Sequence, residues 1–114
     1  MIKRYFQTKI NHRVVEHNGV LYFGGLVAED KSKDMKGQTM EICAKIDHLL
    51  SEVGSSKDKL LTAMIYISDF SQKDGMNEAW LDWLPGEILP TRATIGVAEL
   101  GKDTLVEIVV SAAR

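Results

Sequence analysis

Pro90-Thr91-Arg92-Ala93-Thr94-Ile95-Gly96-Val97, followed after Gly101-Lys102-Asp103 by Thr104-Leu105-Val106-Glu107-Ile108-Val109-Val110, is the stretch from which the rest of the chain is read. A strand sends successive side chains to opposite faces. Arg92, Thr94 and Gly96 therefore share one face and Ala93, Ile95 and Val97 the other, while Leu105, Glu107 and Val109 alternate with Val106, Ile108 and Val110. The two runs, Arg92 to Ala98 and Thr104 to Ala112, read as a closing hairpin that sets Arg92 and Glu107 on adjacent ribbons facing one pocket. Glu107 interrupts an aliphatic run, where a carboxylate is costly unless it is paired or used.

Working outward from there, Lys73 to Leu84 reads as a helix with Met76, Ala79, Trp80, Trp83 and Leu84 on one face, ended by Pro85-Gly86. Leu60 to Ile67 is a nearly continuous apolar run and suggests a strand covered on both faces. From Asp34 to Val53, apolar residues recur at three- and four-residue spacing through Ile42, Cys43, Ile46, Leu49 and Leu50, with Gly54 as a stop, which predicts an amphipathic helix. Residues 13 to 25 read as a hairpin turning at Asn18-Gly19, a pair that tolerates the positive φ angles of a tight primed turn. The order is β-β-α-β-α-β-β, an α+β arrangement with two helices on one face of a mixed sheet. The second sheet face then needs a cover, and association with further copies is the natural one.

The length of 114 residues fits one domain spanning 1–114. Hydrophobic residues at 45% and charged residues at 26% suit a soluble globular chain rather than a disordered or membrane-spanning one. A net charge of −2 with no basic stripe makes nucleic acid an unexpected partner. The N-terminus, Met1-Ile2-Lys3-Arg4, lacks the apolar run of a secretory signal, and the single Cys43 cannot form an internal disulfide, so the cytoplasm is the expected location. Cys43 falls in the apolar stripe of the first helix and reads as a packing residue.

No phosphate loop, nucleophile elbow or metal-ligand spacing occurs, so neither a metal nor a bound cofactor is expected. His12, His17 and His48 are scattered and read as surface residues. Arg92 and Glu107 admit two readings: an ion pair within the hairpin, or a guanidinium fork for a substrate carboxylate beside a glutamate that holds a water. Gly24-Gly25 marks either a bend or a close approach of backbone amides to a ligand. Asn77 is either a surface residue or a pocket wall, and Trp80 and Trp83 with Met76 read as packing between helix and sheet.

Taken together, the glycine pair, Met76-Asn77-x-x-Trp80, Pro90-Thr91-Arg92-Ala93-Thr94 and Leu105-Val106-Glu107-Ile108 resemble the Rid/YjgF family over nearly the whole chain, and the Met-Asn-x-Ala-Trp-x-x-Trp run resembles its YoaB-like branch. The resemblance implies a homotrimer with a chorismate-mutase-like barrel core and three clefts between subunits. It implies a 2-iminobutanoate/2-iminopropanoate deaminase-like hydrolase that converts 2-imino or 2-enamino acids to 2-oxo acids and ammonia. Arg92 would bind the carboxylate and Glu107 would position water. Backbone groups of Gly25 and Thr94 would hold the imine end, and Asn77 would complete the wall. Where the better-known members carry a tyrosine, this chain has Ile10-Asn11-His12-Arg13; Thr94 replaces their cysteine, and Gly24-Gly25-Leu26 stands for Ser-Gly-Gln. The alternative is a non-catalytic trimer that binds a small carboxylate in the same cleft and serves a regulatory role.

Overall fold

Asn18 and Gly19 adopt φ of 52° and 77°, the left-handed conformation a two-residue hairpin loop requires. They join strand β2 (His12–His17) to strand β3 (Val20–Phe23), with His17 opposite Val20. Helix α1 (Met35–Glu52) starts where the Asp34 carboxylate accepts the Gly37 N–H at 2.9 Å. It stops at a paired carbonyl cap: the Gly54 N–H reaches Ser51 O, the Ser55 N–H reaches Leu50 O, and Gly54 takes the positive φ of 79° on which that cap depends. Strand β4 (Leu60–Ile67), helix α2 (Lys73–Trp83), strand β5 (Thr91–Gly96) and strand β6 (Val106–Ala113) complete the predicted order. The computed structural model describes residues 1–114.

The structure adds one strand ahead of those read from the sequence. Strand β1 (Ile2–Gln7) pairs antiparallel with β2, Lys3 opposite Glu16 and Tyr5 opposite Val14. Its residues alternate poorly and all but Tyr5 are exposed, so the burial pattern that marks a strand is absent from it. Phe6, with φ of 58°, interrupts the regular extended backbone.

The six strands lie in the order β1-β2-β3-β6-β4-β5, which corrects the closing hairpin. β5 does not pair with β6; β4 lies between them, parallel to β5 and antiparallel to β6. The reason is α2. A strand, a crossover helix and a second strand bring β4 and β5 side by side in parallel, and β6 then takes the remaining edge of β4. β5 is left as an edge strand.

Both helices cover one face, where Leu21, Ala63, Ile65, Ile67, Val106, Ile108 and Val110 meet Ile42, Ile46, Leu50, Met76 and Trp80 in one buried core. β4 is covered on that face alone: Ala63, Ile65 and Ile67 are buried, whereas Met64 and Tyr66 on the other side are half-buried. The continuous apolar run thus reflects a second apolar sheet face rather than a second covering layer. On this open face the register aligns Val109 with Met64 and Ala93, and Glu107 with Tyr66 and Ile95; Tyr22 and Ile95 there are 53% and 40% exposed.

Candidate functional site

Arg92 sits opposite Ala63, and Thr94 opposite Ile65, so both stand on the helix-covered side of the edge strand β5. α2 runs above them. The Arg92 guanidinium donates from Nη2 to Asn77 Oδ1 at 2.7 Å and lies 5.9 Å from the centre of the Trp80 ring, a cation–π separation. Its Nη1 is 3.9 Å from Met76 Sδ. Burial under α2 lowers the Arg92 pKa from its ordinary value, yet Arg92 has no ion-pair partner within the chain. Leu81, Leu89 and Pro90 join Asn77, Trp80 and Arg92 around a hollow of about 290 Å³. One amide thus orients the cation while an apolar wall raises the worth of any anion it meets.

Glu107 belongs to the other face. It lies opposite Tyr66 on β6, between the buried Val106 and Ile108, and is half-buried with no ion-pair partner. Beside it, Leu26 exchanges two backbone hydrogen bonds of 3.0 Å with Ile108, which presses Gly25 against the glutamate. A Cβ on Gly25 would fall within the carboxyl group, 2.9 Å from Cδ. The group that presses on Gly25 is thus the Glu107 side chain of the same chain.

The five sequence-derived residues thus divide into two clusters: Arg92, Asn77 and Thr94 on the helix side of β5, and Glu107 with Gly25 on the open face of β6. They do not share a pocket within one chain, and Arg92 and Glu107 form no ion pair. This corrects the expectation of adjacent ribbons facing one pocket, and its cause is the interposed β4 together with the parity of the register. Thr94 carries the one buried side-chain oxygen without a hydrogen-bond partner. Trp80, read as packing, is 2% exposed and packs as expected, but it also offers its ring to Arg92. Cys43 is 3% exposed and its thiol is pushed up to about 12, chiefly by burial. No three His, Cys, Asp or Glu side chains converge as a metal-ligand set, and no helix is long and apolar enough to cross a membrane.

Residues 4–114 match the family model described as Endoribonuclease L-PSP. A RutC family protein of Haemophilus ducreyi is 34% identical over 113 residues, covering 99% of this chain and 97% of its own. RutC family protein YoaB of Escherichia coli is 36% identical over 100 residues, covering 88% and 87%. Among solved structures, an uncharacterized protein of Pseudomonas aeruginosa superposes with a TM-score of 0.95 at 34% identity, covering 100% of this chain and 99% of that one. NMB1025 of Neisseria meningitidis, a member of the YjgF protein family, gives 0.94 at 30% identity, covering 100% and 95%.

Proposed function

This chain belongs to the YjgF/RutC (endoribonuclease L-PSP) family, and on that premise we propose that it hydrolyses 2-imino or 2-enamino acids in a site shared between two subunits of a homotrimer. Arg92 and Glu107 stand on opposite faces of one sheet, so they can serve one substrate only if different copies supply them. The apolar open face gives copies a reason to associate, since its aliphatic and aromatic side chains gain by leaving water. Packing open faces together turns Glu107 and Gly25 inward, towards the edge strand of a neighbour that carries Arg92.

The chemistry follows from the two charges. The Arg92 guanidinium, oriented by Asn77, donates two parallel hydrogen bonds to the substrate carboxylate. Glu107 takes a proton from a water that adds to the imine carbon. Returned to nitrogen, that proton gives the neutral carbinolamine; the hydroxyl proton then passes through Glu107 to the amine as the C–N bond breaks, releasing ammonia and leaving the 2-oxo acid. Gly25 and Thr94 supply backbone groups near the imine end. No step demands a metal or a bound cofactor.

The observation that carries this reading is Glu107 itself: an unpaired carboxylate amid aliphatic residues, seated where the lack of a side chain at Gly25 makes room for it. The test generates 2-iminopropanoate in situ and follows its hydrolysis with the parent chain, Arg92→Ala and Glu107→Ala. Hydrolysis faster than the blank is expected from the parent, with losses on the order of a hundred-fold or more in each variant. A parent no faster than the blank, or an arginine variant as active as the parent, defeats the proposal.

A further inference from the structure

Between α1 and the segment that follows β3 lies a hollow of about 410 Å³ that the proposed imine site does not use. Its floor is apolar: Leu26 and Leu49 are 4% and 8% exposed, and Ala44 adds a methyl from the same helix. The wall opposite α1 is held in place. The Glu41 carboxylate accepts the backbone N–H groups of Glu29 and Asp30, and the Lys45 ammonium donates to Val27 O at 2.7 Å and to Glu29 Oε1 at 2.9 Å. These bonds fix the hollow before any ligand arrives, and preorganisation of this kind favours binding.

They also commit the charges. Glu29, Glu41 and Lys45 are satisfied within the wall, whereas Arg13 at the rim has no ion pair in the chain and stands beyond bonding distance of Glu29. We infer that this hollow binds a small organic monoanion, its apolar body on Leu26, Ala44 and Leu49 and its carboxylate on the Arg13 guanidinium. The volume falls within the range of roughly 300–1,000 Å³ usual for small-molecule sites. A second negative charge on the ligand would meet the committed carboxylates of Glu29 and Glu41, which selects for a monoanion.

Benzoate is the probe, titrated into the isotope-labelled full chain and followed by amide chemical shifts. Saturable shifts are expected at residues 26–29 and 44–49. Arg13→Gln, at an exposed position, should weaken binding at least ten-fold, and Ala44→Trp, also exposed, should fill the hollow and abolish it. Arg92→Ala should leave these shifts unchanged, which keeps the site separate from the proposed imine site. Shifts confined to the surroundings of Asn77 and Arg92, an Arg13→Gln titration that matches the parent, or equal binding of benzylammonium would each overturn the inference.

Discussion

Gly25 and Gly96 are both pressed by a side chain, with different consequences for substitution. An alanine at Gly25 displaces the Glu107 carboxyl, which projects from β6 against Gly25 beside the Leu26–Ile108 bridge. Gly25→Ala should therefore lower imine hydrolysis on the order of a hundred-fold while the circular dichroism spectrum stays that of the parent, since misplacing a catalytic group by about 1 Å is that costly. At Gly96 an added Cβ would overlap Phe70 at Cε2 and lie 3.1 Å from its Cδ2, but that ring is 55% exposed and free to swing outward, so Gly96→Ala should change stability by less than about 1 kcal/mol in denaturant titration. Cys43 offers a third test. Buried and with its thiol raised to about 12, it should resist a water-soluble disulfide reagent in the native chain and react stoichiometrically once the chain is unfolded. Glu107 stands out in the sequence as a charge within an aliphatic run, and Arg92 as the charged member of a face shared with Thr94 and Gly96. Their separation is not legible there, because residue parity assigns a face within a strand but says nothing about which strand lies next to it.

Helices and turns carry local signals, and these were read closely: Asp34 to Val53 against Met35–Glu52, and Asn18-Gly19 in its left-handed turn. Pairing is a non-local property. β6 follows β5 in sequence by a short connection, yet the crossover through α2 gives β5 to β4, and no residue of β6 announces that outcome. β1 escaped because its burial is one-sided and slight. At this scale the segment after β3 makes a measurable prediction. The Glu41 carboxyl, held below its usual 4.5 chiefly by the backbone N–H of Glu29, ties that segment to α1; Glu29 itself is lowered first by Lys45, Asp30 by Ser32 and Asp69 by Ser71. Depressed folded pKa values contribute stability that is present above the unfolded values and lost as pH falls through the folded ones. Tm should thus decline from about pH 5 towards pH 3, and Glu41→Gln should decline less over that interval while starting lower; equal slopes in calorimetry would count against the tie.

The whole molecule presents one sheet face to two helices and the other to solvent, and the second holds Tyr22, Met64, Val109 and Ile95 among its apolar residues. The order of the elements announces this division, since two helices on one face leave the other to be covered, whereas the apolar run of β4 points to cover on both faces and instead supplies the second apolar face. Sedimentation equilibrium at micromolar concentration should give a trimer, and Val109→Asp, which places a charge on that face, should give a folded monomer without imine hydrolysis. The claim on which the account rests is that each active site draws Arg92 from one subunit and Glu107 from another. Subunit mixing addresses it most directly: Arg92→Ala and Glu107→Gln chains, each inactive alone, are combined, exchanged and verified as hybrids by native mass spectrometry. Random mixing of equal amounts leaves about a quarter of the ordered interfaces with both groups intact, so about a quarter of parental activity should return. Verified hybrids that remain as inactive as the two separate variants, beside an active parent, would contradict it.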